Sequence, residues 1–433
     1  MSTQIAIARE GKITLALHQA AKDEGITAEL LRQSVARGKV VVLANNRRQA
    51  SVAKAVGRGC RVKVNANLGT SPERVDLAEE LEKLHLAREA GADTVMDLST
   101  GGDLDQIRRE ILAEADLPVG TVPIYQAAVE TVRRGKGITA MDPEEIFAVI
   151  ERQAADGVDF VTVHCGVTRR SVERLERQGR VTDIVSRGGA FLTEWMVINE
   201  KENPLYEQFD RLLALARRYD LTLSLGDGLR PGCIADATDR GQVEELIIIG
   251  ELAQEAVRGG VQVMIEGPGH VPLDQVETNV VLAKQLCDQA PFYVLGPIVT
   301  DVAPGYDHIT SAIGGALAAY YGADFLCAVS PSEHLGLPTP SEVREGVIAT
   351  KIAAHAADLG RRQPKAWERD HRMSGYRKAL DWEGQMACAL DPGKIRDFRQ
   401  NRGSQDDVCS MCGQYCAMKV VGEHLRGRQD SQT

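Results

Sequence analysis

Residues 221–232 read LTLSLGDGLRPG, and this stretch combines the two features that decide the fold. The apolar run Leu221–Gly226 has the length of a strand, and the glycine-rich turn after it carries Asp227 and Arg230. Runs of the same kind recur along the chain. They predict seven further strands: Val62–Asn67, Thr94–Leu98, Val119–Tyr125, Phe160–Cys165, Val261–Glu266, Phe292–Gly296 and Phe325–Ser330.

Amphipathic segments of helical length lie between these runs. The clearest are Pro72–Ala90, Asp142–Asp156, Leu205–Tyr219, Arg240–Gly259 and Asp274–Gln289. Eight strands that alternate with helices predict an α/β fold, a (β/α)8 TIM-type barrel. The same pattern is also compatible with an open, doubly wound sheet, because periodicity alone does not show closure.

Polar residues follow the predicted strands on one side only. They stand at or beyond the carboxyl end of an apolar run, where a barrel carries its chemistry. The main examples are Asn65 to Asn67, Asp97 to Ser99, Tyr125, His164, Asp227 to Arg230, Glu266 to His270 and Asp301.

The chain divides on this pattern into three parts. Residues 1–60 form an N-terminal lead-in, 61–360 form the barrel with the substrate site, and 361–433 form a connector and a small helical unit that binds an iron–sulfur cluster. The long spacer 166–220 must hold an insertion.

Composition excludes several classes of function. The 433 residues include 51 Lys and Arg against 61 Asp and Glu, a net charge of −10, so no nucleic-acid partner is expected. The N-terminus has no apolar targeting segment and no stretch approaches the ~20 apolar residues of a membrane helix, so we expect a cytoplasmic protein. Six of the nine cysteines stand singly, mostly in apolar segments, as expected for buried, reduced thiols.

The other three cysteines, Cys409, Cys412 and Cys416, fall within eight residues with the spacing Cys-x2-Cys-x3-Cys. A [4Fe–4S] cluster held by three cysteines keeps one iron open, and S-adenosylmethionine could chelate that iron and be cleaved reductively to a 5′-deoxyadenosyl radical. The alternative is a zinc knuckle completed by His424 or by another cysteine, since structural zinc takes four protein ligands.

Two histidines and two glycine-rich segments suggest ligand sites on the same face. His270 ends a turn after one strand, and His334 lies in the segment Glu333–Pro338 after another. The two could share a divalent metal, although a lone histidine is commonly a satisfied polar residue. Ser186–Gly189 and Asp227–Gly232 combine an arginine with exposed backbone N–H groups, which suits phosphate. The arginines could instead pair with neighbouring acids.

Taken together, these motifs resemble the thiamine pyrimidine synthase (phosphomethylpyrimidine synthase, ThiC-like) family over roughly residues 10–420. The segments that carry the resemblance are Lys63–Asn67, Ala92–Thr100, Pro123–Gln126, Ser186–Gly189, Ser224–Gly232, Glu266–His270, Ala303–His308, Glu333–Pro338 and the cysteine triplet.

The resemblance implies a radical S-adenosylmethionine enzyme that converts 5-aminoimidazole ribotide into hydroxymethylpyrimidine phosphate. It implies a [4Fe–4S] cluster on Cys409, Cys412 and Cys416, zinc or iron on His270 and His334, and an electron donor such as flavodoxin or ferredoxin. It also implies a homodimer with exchanged C-terminal units. Glu266, His164 and Tyr125 are the implied catalytic residues. The implied substrate-binding positions are Asn67, Met96, Tyr125, His164, Ser186, Arg187, Gly188, Asp227, Gly228, Leu229, Arg230, Glu266 and Tyr293.

The chain departs from the family pattern in two places. Long family members space the last two cysteines by four residues, where this chain has three, and the early segment Leu43–Arg48 differs from the usual motif. A close paralogue, 5-hydroxybenzimidazole synthase of anaerobic cobalamin biosynthesis, has nearly the same motifs and stays an alternative. Remoter alternatives are a non-radical zinc-dependent barrel lyase and an electron carrier.

Overall fold

The computed structural model describes residues 2–48, 53–402 and 408–422 of the chain. The chain divides into two compact units, Met1–Asp358 and Leu359–Thr433. His424, the proposed fourth ligand of a zinc knuckle, lies outside the described residues.

The first unit begins with a helical layer and a two-stranded antiparallel sheet. Each of the three helices starts at a threonine whose hydroxyl accepts a backbone N–H, a favourable N-cap. Alternate residues of the first strand face two cores, with Val41 and Leu43 toward the barrel and Val40 and Val42 toward the N-terminal helices. The elements are α1 (Gln4–Arg9), α2 (Leu15–Glu24), α3 (Ala28–Ala36), β1 (Val40–Leu43) and β2 (Lys54–Gly57).

Within residues 53–402, eight parallel strands close into a barrel. The last strand pairs with the first, Phe325 opposite Lys63, so the sheet has no open edge. This closure confirms the (β/α)8 prediction and excludes the open sheet. The barrel strands are β3 (Lys63–Leu68), β4 (Thr94–Asp97), β5 (Val119–Thr121), β6 (Phe160–Val163), β7 (Thr222–Leu225), β8 (Val263–Gly267), β9 (Phe292–Leu295) and β10 (Phe325–Cys327).

Helices surround the barrel. Among the described residues, the insertion in 166–220 holds three helices, and a fourth helix leads from it into β7. Short 3₁₀ turns lie at Ile138–Ala140, Ile234–Asp236 and Leu273–Gln275. The helices are α4 (Leu77–Glu89), α5 (Leu104–Glu114), α6 (Pro123–Arg133), α7 (Pro143–Asp156), α8 (Arg169–Gln178), α9 (Arg187–Asn199), α10 (Pro204–Glu207), α11 (Phe209–Tyr219), α12 (Arg240–Arg258), α13 (Val276–Leu286), α14 (Asp307–Tyr321) and α15 (Pro340–Gly360).

The predicted strand Val119–Tyr125 is too long by four residues. The strand ends at Thr121, and Pro123 begins α6 in the first-turn position that suits proline, which has no N–H to donate. Tyr125 therefore lies in the first turn of a helix, and this placement brings its ring over the barrel mouth.

The unusual segment Leu43–Arg48 lies at the amino ends of the barrel strands, away from the polar residues noted above. The N–H of Asn45 donates to Asp159 at 2.9 Å, and Arg48 pairs with the same carboxylate at 2.8 Å. Asp159 directly precedes β6. The departure from the family motif therefore lies at the end of the barrel opposite the polar residues of the predicted site.

The second unit is helical in its described part. Its helices are α16 (Pro364–Ala379), α17 (Trp382–Cys388) and α18 (Pro392–Arg402), and a 3₁₀ turn spans Gly413–Tyr415. Arg369 of α16 donates to the carbonyls of Cys388 and Ala389, and the Arg399 guanidinium stacks 4.4 Å from the centre of the Trp382 ring. Across the described residues of both units, no helix combines the length and the apolar character needed to cross a bilayer.

Candidate active site

A cavity of about 80 Å³ opens at the carboxyl ends of the barrel strands. Arg187 lines a wider cavity that shares Asn67, Tyr125 and Arg230 with the first. Residues predicted from the sequence to bind substrate supply much of the inner lining, as parallel strands direct their last side chains to one end of a barrel. The predicted residues in this lining are Asn67, Met96, Tyr125, His164, Asp227, Arg230, Glu266 and Tyr293.

An amide and thiol cluster forms one side of the cavity. Asn65 donates to Asn67 at 2.9 Å, and the Asn67 amide lies 3.2 Å from the sulfur of Cys327 on β10. Thr94 in turn donates to Asn65 at 2.8 Å. These bonds orient the Asn67 amide toward the cavity, and burial raises the pKa of the Cys327 thiol to about 11, so this thiol is neutral.

Glu266 on β8 is held by two hydroxyl groups. Thr162 and Ser224, paired across β6 and β7, donate to its Oε1 at 2.6 Å and 2.9 Å. The backbone N–H of Asp227 also contacts this carboxylate. Burial raises the pKa of Glu266 above its ordinary value, although both hydroxyl groups and Arg230 act in the opposite direction.

His164 follows β6 and is almost completely enclosed. Its Nε2 lies 3.3 Å from the Ser186 hydroxyl, and its Nδ1 is buried without a hydrogen-bond partner in the described part of the chain. A methyl group on Gly188 would come within 2.3 Å of the ring, so only glycine fits there. Burial, followed by the charge of Arg230, lowers the pKa of His164 to about 3, and the imidazole is therefore neutral.

The segment Ser186–Gly189 forms the start of α9. Ser186 is the N-cap, and its hydroxyl accepts the N–H of Gly189 at 3.2 Å. Arg187 stacks over the Tyr125 ring, 4.8 Å from its centre, and faces the outer cavity. Because the N-terminus of a helix combines free N–H groups with positive potential, this segment can bind an anion.

The turn Asp227–Arg230 follows β7 and is held from two sides. Glu245 of α12 accepts the N–H of Leu229 at 2.8 Å, and Arg180 donates to the carbonyl of Leu229 at 2.6 Å. Leu229 is fully buried and offers its backbone to these contacts. Arg230 does contact Asp227, at 3.3 Å, as the internal-pairing alternative proposed.

Arg180 joins three segments of the site. Its guanidinium pairs with both oxygens of Asp239, at 2.6 and 2.8 Å, and also donates to the carbonyls of Arg230 and Asp183. Asp239 is the N-cap of α12. A single buried ion pair therefore ties the turn after β7 to the segment that leads into α9.

His270 and His334 lie close together, with ring centres 5.1 Å apart. Nδ1 of His270 donates to Asp301 at 2.8 Å, and Nδ1 of His334 donates to Asp307 at 3.1 Å. Each carboxylate fixes a tautomer that leaves Nε2 free, the arrangement found around histidine ligands of metals. Burial lowers the pKa of His270, which favours the neutral, ligating form.

Comparisons with known proteins identify the family to which the chain belongs. The model of the radical SAM ThiC family matches residues 3–423. The chain belongs to the radical SAM ThiC family. It is 60% identical over 424 residues to a phosphomethylpyrimidine synthase of Moorella thermoacetica, covering 98% of both chains. It is also 60% identical over 423 residues to the synthase of the same name from Desulforudis audaxviator, again with 98% of each covered.

A solved dihydropteroate synthase from Thermus thermophilus is 15% identical and covers 74% of this chain and 99% of its own, with a TM-score of 0.43. A likeness at that level adds nothing to the assignment.

Membership of a radical SAM family implies S-adenosylmethionine and an iron–sulfur cluster as cofactors. Among the described residues no group of three His, Cys, Asp or Glu side chains is arranged to hold a metal. The donor set nevertheless fits a cluster, because three thiols lie within eight residues. The N–H groups of Cys412 and Met411 point at the Cys409 sulfur and lower its pKa, as a thiolate ligand requires.

Several residues of this ThiC-family site were not found from the sequence. Arg180, Glu245 and Asp239 lie in helices or loops without a motif, and only their buried charge in the folded chain marks them. Thr162 and Ser224 carried a weak signal, as hydroxyl residues at inward positions of apolar strands. Ser186, Gly188, Gly228 and Leu229, which were predicted, stand behind the inner lining and support it.

Proposed function

We propose that this chain converts 5-aminoimidazole ribotide into hydroxymethylpyrimidine phosphate for thiamine biosynthesis. The observation that carries the proposal is the cavity that the substrate-binding positions of the family build together at one end of the barrel. The names of the relatives support a thiamine product. They give no support to the cobalamin paralogue, and a non-radical zinc lyase or a simple electron carrier does not fit a radical SAM family.

We assign the phosphate of the substrate to the start of α9. The first turn of α9 supplies the positive potential of a helix N-terminus, and the guanidinium groups of Arg187 and Arg230 line the same outer cavity. Arginine and a helix N-terminus are both favourable partners for a phosphate. This assignment leaves the inner cavity to the aminoimidazole and the ribose.

The inner cavity suits proton handling around a small polar ring. Neutral His164 and the carboxyl group of Glu266 line this cavity, and Tyr125 has its pKa raised by burial, so its hydroxyl stays protonated. These three residues are the proposed catalytic groups. When bound, the cluster and S-adenosylmethionine would supply the radical that starts the rearrangement, while the enclosed cavity keeps water away from it.

We further propose that His270 and His334 hold one zinc or iron ion through their free Nε2 atoms. The carboxylates of Asp301 and Asp307 would fix the two rings, as partners of histidine ligands commonly do. Water or the ligand would fill the remaining positions.

The cysteine unit, residues 361–433 with its connector, is proposed to serve the barrel of a partner chain in a homodimer, with flavodoxin or ferredoxin as the electron donor. Mixing Cys412→Ala with Arg230→Ala, each inactive alone, tests the exchange. Exchanged units give one intact site in each heterodimer, so activity returns. If each unit serves its own barrel, every site keeps one lesion and mixed heterodimers stay inactive.

Product analysis tests the function directly. The reconstituted protein is incubated anaerobically with S-adenosylmethionine, a reductant and 5-aminoimidazole ribotide, and the products are identified by mass spectrometry. Hydroxymethylpyrimidine phosphate is the expected product. Formation of 5-hydroxybenzimidazole would instead establish the cobalamin alternative, and cleavage of S-adenosylmethionine without either product would refute the substrate assignment.

A further inference from the structure

A second, small cavity, of about 20 Å³, lies between the barrel wall and the helices α12 and α13. We call it the rear chamber. Asp227 and Glu266 line both the active-site cavity and the rear chamber, so they form a common wall. Glu245, Gln242 and Asn279 supply the polar part of the opposite wall.

Two carboxylate oxygens of the rear chamber have no hydrogen-bond partner among the described residues. They are Oδ2 of Asp227 and Oε1 of Glu245, and the two residues are only 7% and 1% exposed. Their other oxygens are bonded, to Arg230 and to the N–H of Leu229. Since a buried oxygen without a donor costs about 1–3 kcal/mol, these two atoms point to a missing donor.

A water molecule is the donor that the space and the chemistry favour. The rear chamber has room for about one water molecule, and buried waters occupy polar cavities where they satisfy otherwise unpaired groups. A water can accept the proton of a protonated oxygen and donate a hydrogen to the other oxygen, so a single water can serve both atoms. A hydrated magnesium ion keeps several waters and would not fit in this space.

We propose that one water bridges Asp227 Oδ2 and Glu245 Oε1, and that both carboxyl groups are protonated before Asp227 exchanges its proton with the substrate, after which the two groups share the one proton that remains. When Asp227 gives its proton to a basic atom of the substrate, the proton of Glu245 crosses the water to Asp227. The negative charge then rests on Glu245. The reverse transfer restores the pair when the proton returns, so no proton or electron is gained or lost.

The surroundings favour a shared proton over two separate charges. Burial raises the pKa of Asp227 to about 8; Arg230 opposes this shift and Glu266 adds to it. Burial, followed by the charge of Asp227, raises the pKa of Glu245 well above its ordinary value. The N–H groups of Leu229 and Gly228, and then the charge of Arg180, act in the opposite direction.

Two further groups face the pair. Tyr125 faces Asp227 and Cys165 faces Glu245, and burial raises the pKa of each, so both are neutral. Neither supplies a charge that would hold both carboxyl groups ionised, which is the condition for one proton shared between two acids.

The first test needs no activity and is therefore independent of the proposed function. A crystal structure of the wild-type chain at high resolution should show one water within hydrogen-bonding distance of both oxygens. A dry rear chamber, or a metal ion in place of the water, would overturn the proposal whatever the substrate of the enzyme proves to be.

The second test rests on the proposed function and uses Glu245→Gln. The glutamine oxygen still accepts the N–H of Leu229, but the amide cannot release a proton. We expect kcat for the pyrimidine product to fall about 100-fold, the size of a lost acid–base step, with the dissociation constant of 5-aminoimidazole ribotide changed less than twofold. Glu244→Gln, the same change one residue earlier where the carboxylate pairs with Arg170, should behave like the wild type.

Turnover by Glu245→Gln at the wild-type rate would show that the proton is not needed and overturn the proposal. An equal loss of substrate binding would assign Glu245 to structure alone and would overturn it too. If neither the wild type nor Glu244→Gln makes the pyrimidine, the proposed function has failed instead. The crystal structure then tests the bridging water by itself, and it also does so if Glu245→Gln does not fold.

Discussion

The ion pair between Arg180 and Asp239 should hold the substrate turn, and Arg180→Met tests this most directly. The substitution removes five hydrogen bonds from one guanidinium: two to Asp239, and one each to the carbonyls of Leu229, Arg230 and Asp183. The side chains of the pair are 0% and 3% exposed, so the carboxylate that is left behind cannot recover its hydration.

The size of the effect follows from that burial. Breaking a buried ion pair by removing one partner costs about 3–5 kcal/mol in the free energy of unfolding. At roughly 2 °C per kcal/mol for a unit of this size, the melting temperature should fall by about 6–10 °C. The turn is also released, so the KM for substrate should rise at least tenfold, with a smaller effect on kcat.

A double-mutant cycle with Asp239→Asn separates the ion pair from the packing. Asparagine is as good an N-cap as aspartate, so it keeps the start of α12 while it removes the charge. We expect the double variant to be about 2–3 kcal/mol more stable than the sum of the two single effects predicts, because no buried charge is then unpaired.

Arg170→Met is the matched control. Arg170 pairs with Glu244 at 2.5 Å, but its side chain is 68% exposed, so its loss should cost about 1 kcal/mol or less. Calorimetry of all four variants and of the wild type supplies the numbers. Additivity within about 0.5 kcal/mol, or equal losses for the Arg180 and Arg170 variants, would refute the reasoning.

Three further predictions concern cofactors and the site. Cys412→Ala should lose the cluster iron and the formation of 5′-deoxyadenosine at unchanged helix content; full iron and activity after anaerobic reconstitution would contradict the ligand assignment. The double variant His270→Ala, His334→Ala should lose one equivalent of divalent metal and keep its iron–sulfur absorption, and unchanged metal content would leave both residues a structural role. Gly188→Ala places a methyl group 2.3 Å from His164, so it should cost about 1–3 kcal/mol of stability and weaken substrate binding at least tenfold; wild-type affinity in calorimetric titration would refute the contact.

Much of the barrel could be predicted from local patterns. Each of the eight strands is an apolar run of its own, and the polar residues Asn67, His164 and Glu266 at the strand ends mark the end of the barrel at which the site lies. The cysteine triplet and the glycine-rich turns are equally local, since their spacing along the chain is itself the signal. The ends of the strands were harder to predict from the sequence. The apolar run that begins at Val119 continues beyond its strand, because a helix begins within that run at Pro123.

The tertiary structure decided which side chains support the site. Arg180 and the Leu229 carbonyl are 49 residues apart in the chain, and Glu245 reaches the Leu229 N–H from a helix on the outside of the barrel. Closure itself depends on Phe325 meeting Lys63. The spacing of apolar residues along the sequence indicates only which face of a helix or strand is buried. The partner of a buried charge depends instead on how distant elements pack, so the ion pair and the rear chamber emerge only once the chain is folded.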